Sequence, residues 1–154
     1  MAIWDVLMEK CVLKKLDKNF TCKYVLMAIR PQFARLIREG KKTVELRRVA
    51  PKVNSGDVLV IYESAPICCV TAYAKIEKVA CLEPMELWKS IGQFSLLEQR
   101  EFEHYFSGKK LGNGIILRNV VELDVPRKLS VLAGRIAPQN YTYLSESEFQ
   151  QLCL

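Results

Sequence analysis

The apolar residues Ile3, Trp4, Leu7, Met8, Cys11 and Val12 recur every three or four positions, while Asp5, Glu9, Lys10 and Lys14 take the other side. That spacing predicts an amphipathic helix over residues 2 to about 16. Lys23 to Ile29, apolar after its first residue, predicts a first strand. Pro31 to Glu39 returns to helical spacing, with Phe33, Leu36 and Ile37 on one face. Pro31 suits the first helical position, where its missing N–H costs nothing. Gly40 suits the left-handed residue that closes a helix. From Lys42 the pattern alternates. Val44 and Leu46 face one way, and Thr43, Glu45 and Arg47 face the other.

Val53 to Asp57 predicts a turn. Val58 to Tyr62 is a nearly continuous apolar run, as expected of a strand buried on both faces. Pro66 breaks it. Ile67 to Val79 predicts a long strand, bent near Ala72 to Ala74 as a barrel requires. Two helices follow. Pro84 opens one with Trp88 and Ile91 inward, and Ser95 with Glu98 predicts a capping box for the other, which carries Phe102, Tyr105 and Phe106. Gly108 ends it. Lys109, Lys110, Gly112 and Gly114 read as a basic loop, and Ile115 to Leu123 as a strand stopped by Pro126. Val131 to Ile136 gives no clear pattern. Gln139 to Tyr143 predicts a last strand, and Ser145 with Glu148 caps a closing helix bearing Phe149 and Leu152. Strands with helices inserted between them, without regular βαβ alternation, imply an α+β fold with an antiparallel or mixed barrel. No repeat, linker or low-complexity segment is visible.

The 154 residues are half hydrophobic, enough for one domain with a real core and too few for two. The formal net charge is +6, which favours polyanionic partners without specifying one. The distribution is more informative. Arg30, Arg35, Arg38, Lys41, Lys42, Arg47, Arg48 and Lys52 crowd one segment, against only Glu39 and Glu45. A solvated helix face and a phosphate-facing patch both fit that run. Likewise, the Glu45–Arg47 row, with Lys42 at its mouth, fits either a brace of the barrel or a site.

The cysteines Cys11, Cys22, Cys68, Cys69, Cys81 and Cys153 form no C-x-x-C pair, and His104 is the only histidine. No metal site or cofactor is therefore expected. His104 sits mid-helix among Phe102, Tyr105 and Phe106, which argues against a Ser-His-Asp triad. No Walker loop or G-x-G-x-x-G is present. With no signal peptide pattern and no stretch able to span a bilayer, the expected location is the cytoplasm, with free thiols and no membrane partner.

The segment Gly40-Lys41-Lys42-Thr43-Val44-Glu45-Leu46-Arg47 matches a Gly-x-Lys-x-x-Glu-x-Arg signature. On it the chain resembles the ASCH domain family, of the PUA-like superfamily, over roughly Tyr24 to Leu144. Supporting features are Ile29-Arg30-Pro31, Gly56-Asp57-Val58, Tyr62-Glu63-Ser64, Tyr105-Phe106-x-Gly108 and Pro138-Gln139. These resemble a prokaryotic subgroup described as transcriptional regulators. The resemblance implies a PUA-like barrel over residues 23–154, preceded by a helical extension over residues 1–22. It implies a basic cleft that binds RNA or a nucleotide-like ligand. PUA-like barrels read RNA through shape, backbone contacts and splayed bases.

On that resemblance, Lys41, Lys42, Arg47, Arg48, Lys109 and Lys110 are the candidate phosphate contacts. Tyr62, Tyr141 and Tyr143 are the candidate stacking surfaces. Thr43, Glu45, Ser64 and Gln139 complete the candidate cleft. For each tyrosine, plain core packing is the alternative. A few relatives are enzymes. One bacterial branch hydrolyses the acetyl amide of acetylated cytidine with a lysine, a threonine and a glutamate. Its lysine corresponds to Lys42, but its threonine position is held here by Glu45, which removes the hydroxyl nucleophile. Thr43 is out of register with that position, and Glu63 and Glu77 are candidates for the third residue. Another relative is described as cleaving single-stranded RNA, for which Lys42 and Glu45 would form the acid–base pair. The expectation is thus an RNA-binding or nucleotide-binding module, with a hydrolase using the same cleft as the alternative. A monomer with the N-terminal helix packed on its own barrel is favoured over a homodimer in which that helix pairs with its copy in a second subunit.

Overall fold

The computed structural model describes residues 21–154. The helix expected over residues 2 to about 16, and the stripe it carries, lie outside them. The strands are β1 (Tyr24–Ile29), β2 (Val44–Arg47), β3 (Val58–Glu63), β4 (Cys69–Leu82), β5 (Gly112–Arg127) and β6 (Tyr141–Leu144). The helices among the described residues are α1 (Pro31–Arg38), α2 (Pro84–Ile91), α3 (Gln99–Tyr105) and α4 (Glu146–Cys153). The strands form one mixed sheet in the order β2-β5-β4-β3-β1-β6. β1 and β3 are parallel and every other pairing is antiparallel. A parallel pair needs a crossover, and here α1 and β2 lie within it. The two edge strands, β2 and β6, come round towards each other, so that Arg47 Nη1 reaches Asn140 Oδ1 at 2.8 Å.

Curvature comes from the long strands. The β4–β5 register shifts between Val70 and Ala72, between Tyr73 and Lys75, and between Ile76 and Lys78. Each shift bends and twists the ladder, which agrees with the bend expected near Ala72 to Ala74. Alternation then divides the core. Val25, Met27, Ile29, Leu59, Ile61, Ala72, Ala74, Ile76, Ile115 and Leu117 line one face, closed by Ala34 and Ile37 of α1. Tyr24, Leu26, Val58, Val60, Tyr62 and Tyr73 occupy the other, under Phe149 and Leu152 of α4. Val44 and Leu46 pack outward against Leu87 of α2, Phe102 of α3 and Phe106, which follows α3.

Several local expectations shift. α1 ends at Arg38, with Gly40 in the left-handed conformation at φ 72°. β2 begins at Val44 rather than Lys42, because Lys42 completes the turn out of α1 by donating its N–H to Leu36. The capping box of α3 is formed by Glu98 and Glu101. Ser95 belongs instead to a 3-10 turn, Gly92–Ser95, and is fully buried with its hydroxyl on the Gly92 carbonyl. Gly112 and Gly114 are not loop residues but open β5. A Cβ on Gly112 would lie 2.7 Å from the Phe106 ring, so helix–strand packing, not turn geometry, calls for glycine there. Pro126 does not stop β5, which runs to Arg127. β2 pairs only as far as Ile116, so Pro126 has no ladder partner to deprive on that side. The unclear stretch Val131 to Ile136 begins at the end of a 3-10 turn, Leu129–Val131, and continues as a loop tied down by Arg135. The α4 cap is the expected Ser145–Glu148 box.

Candidate nucleic-acid interface

The signature segment folds inward. Glu45 pairs across the ladder with Ile115 of the barrel interior, so Glu45 and Arg47 face the inside while Val44 and Leu46 face α2 and α3. Lys42 is only 2% exposed and Glu45 7%. Lys42 does not stand at an open mouth; its ammonium is enclosed. Nζ donates to the Val44 carbonyl at 2.7 Å and the Ser95 carbonyl at 2.8 Å, and lies 3.4 Å from Glu45 Oε2. An ammonium has three protons, and each has an acceptor. The Phe33 ring, 5.2 Å from Nζ, adds a cation–π contact. Burial lowers the Lys42 pKa, Glu45 opposes that shift, and nearby Arg47 adds to it.

Glu45 bridges two cations. Its Oε1 accepts from Arg47 Nη2 at 3.0 Å. The same nitrogen donates to the Ala28 carbonyl at 2.6 Å, and Nη1 donates to Asn140 Oδ1 at 2.8 Å. Lys42, Glu45 and Arg47 thus form one buried chain that ties β2 to the end of β1 and to the residue before β6. Among the described residues, Arg47 Nε is the one buried side-chain polar atom without a hydrogen-bond partner. An orphan donor inside an otherwise satisfied network asks for a functional explanation.

The ASCH domain model matches residues 27–127. This chain belongs to the ASCH family. An ASCH domain-containing ribonuclease of Zymomonas mobilis is 28% identical over 133 residues, covering 84% of this chain and 90% of that protein. The solved structure of ASCH from Zymomonas mobilis superposes with a TM-score of 0.79 at 29% identity, over 84% of this chain and 93% of that one. The N-terminal domain of Staphylothermus marinus McrB shares the fold at TM-score 0.56 and 10% identity, covering 86% of this chain and 94% of that one. The α+β, PUA-like architecture inferred from the sequence is therefore that of the family.

Within this ASCH domain the other expected site residues are distributed unevenly. Thr43 is half-buried, with its N–H on the Phe94 carbonyl at 3.1 Å and its carbonyl receiving Leu117 N–H at 2.8 Å. Lys41 and Arg48 are exposed; Lys41 meets Glu39 at 2.7 Å, and Arg48 N–H donates to Tyr105 Oη at 3.3 Å. Asn113, soon after exposed Lys109 and Lys110, donates to the Arg47 and Arg48 carbonyls. The two basic segments are therefore neighbours. Tyr62 is buried in the core, where burial and the Cys68 thiol raise its pKa, and it offers no free face. Tyr141 is half-buried with its hydroxyl on Ala50, and Tyr143 is exposed with its hydroxyl on Lys52. Ser64 is half-buried, and Gln139 is exposed beside the Asn140 that holds Arg47.

A second ionic group went unread in the sequence. Arg38 of α1 pairs with buried Glu63 and reaches Thr71 Oγ1 at 3.3 Å and Glu122 Oε1 at 3.2 Å. A carboxylate ending the apolar run of β3 was its signal. Glu63 thus serves Arg38, and Glu77 is exposed. Among the described cysteines, Cys68 and Cys81 are exposed, and burial pushes the Cys153 thiol up to about 12. Among the described residues no cluster of His, Cys, Asp or Glu could hold a metal, and no helix is long and apolar enough to cross a membrane.

Proposed function

We propose that this ASCH protein binds single-stranded RNA along the basic rim formed by the signature turn and the start of β5, as a cytoplasmic monomer. The carrying observation is how the cations divide. Of the eight between Arg30 and Lys52, Arg38, Lys42 and Arg47 turn inward to Glu63 and Glu45. Arg30, Arg35, Lys41, Arg48 and Lys52 remain exposed. Glu39 meets Arg35 and Lys41, and among the described residues the other three have no acidic partner. The inner network sets the shape, and the outer cations follow phosphates. Titration of a labelled single-stranded RNA at several salt concentrations tests this. Replacing Lys41 and Arg48 with alanine should flatten the log-affinity against log-salt slope by about 0.7 per lost contact. An unchanged slope would remove the rim from the interaction.

Cleavage of that RNA is a second reading, supported by the Zymomonas mobilis relative named as a ribonuclease. Lys42 and Glu45, 3.4 Å apart, are the pair it would use. The enclosure of Lys42, with every ammonium proton engaged, supports binding over catalysis at this pair. Amide hydrolysis of acetylated cytidine has less support. The position of the threonine nucleophile holds Glu45, committed to two cations.

A further inference from the structure

The inner network acts on more than β2. Lys42 Nζ holds the Ser95 carbonyl at 2.8 Å, and Thr43 N–H holds the neighbouring Phe94 carbonyl at 3.1 Å. Two consecutive signature residues thus grip two consecutive residues of the Gly92–Ser95 turn. Ser95 is fully buried and ties its own hydroxyl back to Gly92 at 2.6 Å. The next residue, Leu96, is left-handed at φ 58°, a conformation uncommon for a branched side chain. The turn is therefore over-determined: it is anchored on both sides and held in a shape its sequence does not favour by itself.

What this anchoring presents is Phe94. Phe94 is 45% exposed, on a backbone bonded to Thr43, which follows the exposed cation Lys41 by two residues. A phenylalanine has no hydroxyl whose hydrogen bond would account for its exposure, unlike Tyr143, which bonds Lys52. Of the tyrosines expected as stacking surfaces, Tyr62 is in the core. An exposed aromatic on a rigid base, bonded to the segment that carries the rim cations, offers a single strand one stacking surface.

We propose that Phe94 is the stacking platform for an unpaired nucleobase, with the strand's phosphates on the Lys41–Arg48 rim. This deepens the RNA-binding reading and rests on it. The test uses a labelled single-stranded RNA about ten nucleotides long, within the range that such grooves cover. A second strand of equal length and charge, abasic at every position, serves as its partner. Wild type, Phe94→Ala and Phe94→Trp are titrated with both. Wild type should prefer the base-bearing strand. Phe94→Ala should weaken that strand's binding by roughly five- to 150-fold, the range for loss of one stacked base. It should leave abasic-strand affinity and the salt slope unchanged, and Phe94→Trp should keep the preference. A Phe94→Ala protein that still prefers bases as wild type does overturns the platform while the rim reading stands. Equal loss for both strands also overturns it, since that outcome means a damaged turn. Wild type that binds neither strand overturns the RNA reading and the platform with it.

Discussion

Arg47 Nη1 lies 2.8 Å from Asn140 Oδ1, although the two residues are 93 positions apart in the chain. Arg47 ends one edge strand and Asn140 precedes the other, and β2 and β6 share no ladder. The barrel is therefore closed at this seam by side chains: Arg47 to Asn140 and Ala28, and Tyr141 and Tyr143 hydroxyls to the 50–52 backbone. The residue that completes the family signature also completes the fold.

Arg47→Ala should accordingly cost about 3–5 kcal/mol of stability, the range for breaking a buried pair. It leaves Glu45 with Lys42 alone and the seam without its bridge. Arg47→Lys should recover little. One ammonium lacks the planar fork that serves Glu45, Ala28 and Asn140 together. Urea unfolding of the three proteins measures this, and a fully stable lysine variant would show that charge alone suffices.

The legible parts of the sequence were those in which local chemistry and the global fold agree. The Pro31–Gly40 helix, the run of β3 and the Ser145–Glu148 box each carry their own start, period or stop. The signature located the buried network because alternation from Val44 sets Glu45 and Arg47 on one face. What stayed illegible depends on distant partners. Asn140 is an ordinary polar residue until the edges meet, and Ser95 resembles a cap until Lys42 claims its carbonyl. Gly112 and Gly114 have the local look of a loop, and only α2 and α3 above β5 explain them.

Those two glycines give a graded prediction. A Cβ on Gly112 would meet the Phe106 ring at 2.7 and 3.0 Å and Leu87 at 3.0 Å. A Cβ on Gly114 would meet the Ile91 methyl Cδ1 at 2.4 Å and nothing else closer than 3.4 Å. A terminal methyl can rotate away more readily than a packed ring. Gly114→Ala should cost about 1–3 kcal/mol, as overpacking usually does. Gly112→Ala should cost more, by the same urea measurement; the reverse order would show that the ring yields.

Glu148 sets the acid limit of the C-terminal helix. Its carboxyl is held at about 2, first by Arg135, whose Nε lies 2.5 Å from Oε1, and then by the Ser145 backbone N–H. A lowered carboxyl pKa stabilises the fold above the unfolded value near 4.5. The benefit is lost as pH falls from there towards about 2. The pair is partly exposed, so solvent screening limits the effect to about 1 kcal/mol. Glu148→Gln should lower the melting temperature at pH 7, with a gap that shrinks as pH falls from about 4.5 through about 2. A gap as wide at pH 2 as at pH 7 would assign the loss to the capping box instead.

Lys42 is where the binding and cleavage readings part. All three ammonium protons are engaged inside the protein, by Val44, Ser95 and Glu45. To act as a general acid or base it would have to give up one of these bonds and reach a strand from a site that is 2% exposed. Lys42→Met keeps the length of the side chain and removes its charge. It should cost about 3–5 kcal/mol, because Val44, Ser95 and Glu45 all lose a donor. The matched assay incubates wild type and Lys42→Met with end-labelled single-stranded RNA, at a temperature where circular dichroism shows both folded. Strand cleavage per folded molecule is expected to be the same for the two proteins. If wild type cuts the strand while folded Lys42→Met binds it equally well and does not cut, Lys42 is catalytic and the ribonuclease reading replaces the binding one.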